Sequence, residues 1–242
     1  MKRIAYFSLH YGKEYLDAAI RAIDPLMDEI YIFYSAKPSQ GQRPTGLICP
    51  DTKNELYGIA KFASSKINWL EGSWTFENQH RAEIMKYAGK DDTVLAVDAD
   101  EVWDTEVLEK CLRQAEGLPH REFQIRGYVN FWRSFNYACY DGFLPHRIFR
   151  PGNPEGVTQL SGKIYHFGCA QREELMRYKY QVFGHAGEIK KNWLEETYLK
   201  WEPGQGNLHC VAENLWNAVP FDKTTLSELL KQHPYYGLDT IP

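Results

Sequence analysis

An α/β fold is expected from this sequence, with a mainly parallel central sheet, helices on both faces, a small antiparallel portion and C-terminal helices. Three observations lead there. Strand-like and helix-like patterns alternate over the first hundred residues; the apolar run Thr93-Val94-Leu95-Ala96-Val97 ends in Asp98-Ala99-Asp100-Glu101; and past residue 104 strand patterns follow one another without helices between them.

The opening strand is expected at about Arg3–Leu9. After His10-Tyr11-Gly12, residues Tyr15, Leu16, Ala19, Ile20 and Ile23 recur at helical spacing and Pro25 falls near the end of that pattern. Glu29–Tyr34 reads as a second strand, followed by a Ser/Pro/Gly/Gln-rich loop from Ser35 to about Pro50. Such a β-α-β unit implies parallel strands joined by a right-handed crossover, with ligands beyond the carboxyl ends of the strands. A helix near Asn54–Ser64, a short strand at Lys66–Leu70, a helix over Thr75–Ala88 and a fourth strand at Thr93–Val97 continue the alternation. Asp104–Glu116 should be helical, Glu122–Trp132 and His146–Arg150 strands that pair antiparallel, and Pro151-Gly152-Asn153-Pro154 a turn. Lys163–Phe167 is a last short strand, Gln171–Gln181 and Ile189–Trp201 are helical patterns, and the chain from Pro203 is loop-like.

With 242 residues and 43% hydrophobic content, the chain suits one large domain with a real core. Residues 1–104 would form its first half and 105–242 its second half with the C-terminal helical segment. A net charge of −4, from 28 basic and 32 acidic residues, provides no global field that would draw it to nucleic acid or an anionic membrane. The five cysteines are scattered, odd in number and without C-x-x-C spacing, which argues against a disulfide framework or a structural zinc site and for a reducing, cytoplasmic setting. Ser8 and His10 interrupt the apolar N-terminus before a signal-peptide core forms, and no stretch reaches the roughly 20 apolar residues of a membrane span. Aromatic content is 14%, and rings of this kind serve both core packing and stacking on sugars or bases.

The acidic run carries the functional signal. Residues i and i+2 of an extended segment point to one side, so Asp98 and Asp100 bring two negative charges together at the rim of a buried sheet. A hard divalent ion carrying substrate phosphates would satisfy them. The competing structural reading has Asp98 capping a turn, Asp100 capping a helix that begins near Thr105, and Glu101 solvated.

The β-α-β opening, Asn78-Gln79-His80-Arg81 on a helix, Val94-Leu95-Ala96-Val97-Asp98-Ala99-Asp100-Glu101 and the later Ile164-Tyr165-His166-Phe167-Gly168 together resemble the GT-A glycosyltransferases, in particular small family-2-like enzymes of bacteria and phages. The resemblance spans most of residues 1–210, is closer in the first half, and implies that residues 1–104 are the nucleotide-sugar-binding half and 105–242 the acceptor-side half. It implies a GT-A-like (Rossmann-like) fold and transfer of a sugar from a UDP-sugar to a carbohydrate or modified-nucleobase acceptor. It further implies that Asp100 binds Mn²⁺ or Mg²⁺ on the donor diphosphate, that Asp98 lies near the ribose or the metal, and that His166 supplies a third ligand. His185 and His209, in glycine-containing loops, are rivals for that place. Ser8, Leu9 and His10 would border the base, and Arg81 the ring or a phosphate. Asp141 is the first candidate for the general base, with Glu155, Glu173 and Glu188 as alternatives. Trp132, Arg133, Phe135, Tyr137 and Tyr140 would wall the acceptor, or else form an aromatic core. Lys190, Lys191 and Lys200 are a solvated face or a contact for an anionic acceptor. Where many family members have an acid after the second strand, this chain has Tyr34-Ser35-Ala36-Lys37.

Two other functions compete. A nucleotidyltransferase acting on a sugar phosphate also groups carboxylates at such a rim, but its usual glycine-rich phosphate loop is represented after the first strand by Gly12 alone. A non-catalytic carbohydrate- or DNA-binding module would use the aromatic residues and have little need of the acidic triplet.

Overall fold

The computed structural model describes residues 1–41, 46–185 and 187–242. Part of the loop expected between Ser35 and Pro50 thus lies outside the described residues, as does Ala186 beside His185. The first half runs β1 (Arg3–Leu9), α1 (Lys13–Ile23), β2 (Glu29–Ser35), α2 (Lys53–Ala63), β3 (Ile67–Gly72), α3 (Glu77–Ala82), β4 (Thr93–Ala96), β5 (Glu101–Trp103) and α4 (Thr105–Gly117). The second half comprises β6 (Glu122–Trp132), β7 (Tyr137–Cys139), β8 (His146–Phe149), β9 (Val157–Cys169), α5 (Glu173–Val182), β10 (Val219–Pro220) and α6 (Glu228–Lys231).

The strands form one sheet in the order β10-β7-β6-β8-β4-β1-β2-β3, with β9 paired to β6 and β5. β3, β2, β1 and β4 are mutually parallel, as the alternating pattern requires. Strand period divides β1 between two faces: Ala5, Phe7 and Leu9 pack with the apolar stripes of α1, α2 and α4, whereas Ile4 and Tyr6 pack with Phe33, Ile84 and Val94 on the other side. Helices therefore cover both faces of the sheet, and the mixed α/β architecture expected from the sequence is the one observed.

Several elements depart from expectation. The helix foreseen over Thr75–Ala88 is α3 followed by a 3₁₀ turn at Glu83–Lys86. The short strand expected at Lys163–Phe167 is part of the 13-residue β9, which pairs with β6 in parallel from Glu122↔Val157 to Trp132↔Cys169 and with β5 antiparallel. The β6–β7 and β6–β8 pairings are antiparallel as expected. The helical pattern at Ile189–Trp201 yields one π-helical turn, Leu194–Tyr198, because Trp193 and Tyr198 are drawn into a cluster around Trp132. All five cysteines are free, and no helix among the described residues is long and apolar enough to cross a membrane.

Candidate functional site

The site grows from the carboxyl ends of β1 and β4. Val97 N–H donates to the Tyr6 carbonyl at 3.0 Å, and the chain then turns through Asp98–Glu101, closed by Glu101 N–H to the Asp98 carbonyl at 3.0 Å. Phe167 N–H binds the Asp100 carbonyl at 2.8 Å, which ties this turn to β9. Gly12 lies against the turn with φ +117°; a Cβ there would sit 2.8 Å from that of Ala99, so only glycine lets α1 approach the acidic turn so closely. The cleft above is lined by Ser8, His10, Tyr11, Arg81, Asp100 and Lys179, together with Asp98, His166, Gly12 and the Pro38–Gln40 segment.

The acids do not stand alone. Asp98 accepts from Arg81 Nη2 at 2.9 Å on one oxygen and from Arg147 Nη2 at 2.8 Å on the other. Burial would raise its carboxyl pKa, but the two guanidiniums outweigh burial and hold it well below the usual range. Asp100 accepts from Lys179 Nζ at 3.0 Å, and again the ammonium overcomes burial and lowers the acid. Glu101, expected to be solvated in the competing reading, is fully buried and takes Arg147 Nε at 2.8 Å, Arg147 Nη2 at 2.5 Å and the Tyr128 hydroxyl at 2.7 Å. Nor does Asp100 cap the next helix; Asp104 does, accepting from Val107 N–H at 3.1 Å.

His166 reaches the cleft by register. It sits opposite Asn130 across β6–β9 and its Nδ1 lies 2.8 Å from Asn130 Oδ1, which makes Nδ1 the donor and leaves the Nε2 lone pair facing Asp100 Oδ1 at 3.7 Å. Burial lowers the pKa of this ring, in keeping with the neutral form. The two facing donors are spaced so that one divalent ion can touch both, with Asn130 orienting the ring from behind. The expected three-ligand set of Asp98, Asp100 and His166 is not assembled, however. Both Asp98 oxygens are given to arginines, and among the described residues no group of three His, Cys, Asp or Glu side chains is placed to hold a metal.

Of the residues expected to border a base, Ser8 and His10 line the cleft and Leu9 does not. Leu9 points to the opposite face and is buried in the core, as alternation along β1 demands. Ser8 lines the cleft, and its buried Oγ has no hydrogen-bond partner. His10 is held by the Ser35 carbonyl at 2.8 Å and the Tyr178 hydroxyl at 2.7 Å. Asp141 lies outside the cleft. Its oxygens accept from Phe143 N–H at 2.8 Å and Trp216 Nε1 at 2.7 Å, the arrangement of a turn aspartate. Glu173 pairs with Arg177 and Glu188 with His185, and neither these nor Glu155 lines the cleft. His209 Nδ1 accepts from the Val211 and Ala212 amides at 3.1 and 2.9 Å. Of the expected acceptor wall, Trp132 and Phe135 are fully buried and belong to the core, whereas Arg133 and Tyr137 are half-buried and Tyr140 is exposed; none of the five lines the cleft.

Sequence reasoning missed Arg147 and Lys179, because nothing local marks a lone cation as the partner of an acid 49 or 79 residues away. It also missed Asp51, which is buried and accepts from Gly12 N–H at 2.6 Å and Lys13 N–H at 3.1 Å. The start of α1, where a glycine-rich loop would cradle phosphate, is therefore already occupied by an internal carboxylate that Arg172 neutralises.

No protein-family model matches the chain, and no curated protein matches it. Among solved structures it is similar to a 4-diphosphocytidyl-2C-methyl-D-erythritol synthase, at 15% identity over 62% of this chain and 76% of that one, with a TM-score of 0.38. The enzyme of that name from Anaerococcus prevotii DSM 20548 matches at 11% identity over 66% and 86%, with a TM-score of 0.41. HddC from Yersinia pseudotuberculosis matches at 8% identity over 75% and 98%, with a TM-score of 0.42. These likenesses are distant, and the mixed α/β architecture rests on the strand order described above. The expectation of sugar transfer from a UDP-sugar is corrected here: two of these three structures are diphosphocytidyl synthases by name and none is named a glycosyltransferase. The site agrees as far as inverting transfer goes, since the carboxylates lining its cleft are ion-paired and thereby weakened as bases for an acceptor hydroxyl.

Proposed function

We propose that this protein is a nucleotidyltransferase that joins a nucleoside triphosphate to a phosphate-monoester acceptor. One observation carries the reading: Glu77, Asp98 and Asp100, the carboxylates of the cleft, are held by Arg81, Arg147 and Lys179. Inverting sugar transfer to a hydroxyl needs a base, whereas a phosphate monoester, with a second pKa of about 6, is already an anionic nucleophile at neutral pH. An acceptor oxygen attacks the α-phosphorus, the bond from that phosphorus to the bridging oxygen breaks, and pyrophosphate leaves with the electron pair.

The chain's own residues bind and orient. Lys179 spends two of its three N–H donors on Asp100 and the Gly168 carbonyl, and the third is free to meet a phosphate oxygen. Arg81 uses Nε on Glu77 and Nη2 on Asp98, and its side chain lines the same cleft. Because Asp51 fills the α1 terminus, phosphate recognition falls to these side chains rather than to a glycine loop. A Mg²⁺ or Mn²⁺ ion arriving with the triphosphate would be held by Asp100 and His166 and would offset charge on the phosphates. The orphaned Ser8 hydroxyl supports placing the nucleotide near the end of β1.

The test is pyrophosphate release by the full chain with each nucleoside triphosphate, Mg²⁺, and a panel of phosphorylated sugars and alkyl or aryl phosphates. Release with one triphosphate and an acceptor phosphate is expected. Lys179→Met should lower kcat by about 100-fold without changing the circular dichroism spectrum. Absence of pyrophosphate with every combination overturns the reading.

A further inference from the structure

Beside the polar cleft lies a second, larger cavity of about 700 Å³ that shares Glu77, Arg81 and Asp98 with it. It extends over the face of β1, β4 and β8, from the Asp98–Arg147 pair toward Phe149 near the start of β4. Tyr6, Ile84, Met85, Phe143, Pro145 and Phe149 supply most of its wall. Tyr6 meets Phe149 edge-on, and Tyr128 meets Phe143 edge-on, so the wall is built of fixed rings. Met85 and Phe143 are 43% and 53% exposed, an apolar rim left open to solvent. The core of the protein is complete without this space, and its volume falls in the range of small-molecule sites.

We infer that this cavity takes the apolar body of the acceptor, which is the phosphate monoester of a hydrophobic alcohol rather than of a sugar. The inference rests on the nucleotidyltransferase reading and names its acceptor class. The shared residues fix the direction of binding. A phosphate placed by Arg81 lies at the border of the two spaces and can face a nucleotide in the cleft, while the remainder of the molecule extends over Tyr6, Ile84 and Phe149. A sugar in the same position would set several hydroxyls against the carbon surface of Tyr6, Ile84, Met85 and Phe149, while the polar lining groups Asp98 and Arg147, and Glu122 and His146, are already paired with each other, so binding would suffer for each hydroxyl left without a partner. An apolar chain or ring loses nothing there and removes its own surface from water. Arg121 adds to the polarity of the far rim: its guanidinium makes no hydrogen bond or ion pair among the described residues, so it stays solvated and marks where the apolar surface ends.

Calorimetric titration without nucleotide separates this inference from the reading beneath it. The probes are geranyl phosphate, phenyl phosphate, glucose 1-phosphate and geraniol. Geranyl or phenyl phosphate should bind at least tenfold more tightly than glucose 1-phosphate and than geraniol, and the better of the two tells whether the body is a chain or a ring. Met85→Glu and Ala82→Trp, both at exposed positions on the cavity wall, should each weaken that binding tenfold or more with unchanged melting temperature. Equal affinity for all phosphates, or binding indifferent to both substitutions, overturns the inference. If the preference and its loss are seen but no pyrophosphate is released with any triphosphate, the cavity assignment stands and the nucleotidyltransferase reading fails.

Discussion

At the scale of single residues, Arg147 decides what the acidic turn is for. Its guanidinium is almost fully buried and binds Glu101 and Asp98 together, so it serves both the core and the cleft. Burial and bidentate geometry make this pair unlike a surface ion pair. Arg147→Met should destabilise the protein by about 3–5 kcal/mol, because it leaves the buried Glu101 charge with no cation, only the Tyr128 hydroxyl and a long bond from the Asp98 N–H. Adding Glu101→Gln should recover part of that loss, and urea denaturation of the single and double variants measures it. No recovery would mean that Arg147 acts through packing of its stem alone. The acids of this site were legible in the sequence, since three carboxylates after an apolar strand are conspicuous. Their partners were not. Asp98, Asp100 and Glu101 asked for positive charge, and a metal ion was the local answer; the fold supplies Arg81, Arg147 and Lys179 from three other elements. The same logic explains Leu9, which adjoins two cleft residues in sequence but faces the core by strand alternation.

At the scale of elements, periodicity located β1, α1, β2, α2, β4, α4 and β6 closely, because each has an apolar face of the right period and a clear stop. It failed where backbone geometry rather than side-chain pattern sets the element. β9 was foreseen at five residues and has 13, since Thr158, Ser161 and Gly162 interrupt the apolar alternation while β6 continues to pair with them. The register shifts between Arg126 and Tyr128, and there Gly127 adopts φ +93° with the Gly162 carbonyl beside it. A Cβ on Gly127 would lie 2.3 Å from that oxygen, a backbone atom that cannot step aside without breaking the β6–β9 ladder. Gly127→Ala should therefore cost about 1–3 kcal/mol, toward the upper figure because strain and clash coincide. Gly117→Ala, at the end of α4 where an added Cβ meets nothing within 4 Å, is the matched control and should be neutral or slightly stabilising. Denaturant midpoints of the two variants compare them directly; equal shifts would show that the Gly127 bulge relaxes freely. The Ile189–Trp201 segment failed for another reason. Its spaced aromatics look helical, but they are spaced to reach Trp132, and tertiary packing wins over local propensity.

At the scale of the whole molecule, the histidines make stability depend on pH in one direction. His10, His80 and His233 come from distant parts of the chain; His80 is buried, His10 and His233 are half-buried, and each is held below its usual pKa chiefly by desolvation. Each also has both ring nitrogens satisfied in the neutral form. His80 bonds the Phe33 carbonyl at 2.7 Å and Ser39 Oγ at 3.0 Å, while His233 bonds the Glu14 carbonyl at 2.9 Å and accepts from Tyr235 N–H at 3.2 Å. In the unfolded chain these rings titrate near pH 6.5. Between that value and their lower native pKa values the unfolded state binds more protons, so stability rises with pH across the window. The contribution is complete above about pH 6.5 and is lost as pH falls through the native values. The carboxylates of the cleft, lowered by their cation partners, lose their own stabilising contribution only in more acid solution, below the ordinary carboxylate range. Urea midpoints should accordingly fall between pH 7.5 and pH 5.5, a window in which the carboxylates stay ionised. His80→Gln and His233→Gln, which replace a titrating ring with a neutral side chain, should each flatten the dependence even though both lower stability at pH 7.5. A midpoint that stays level from pH 7.5 to 5.5 in the parent protein would mean that these rings accept protons in place, and that the core around them is less closed to charge than its packing implies.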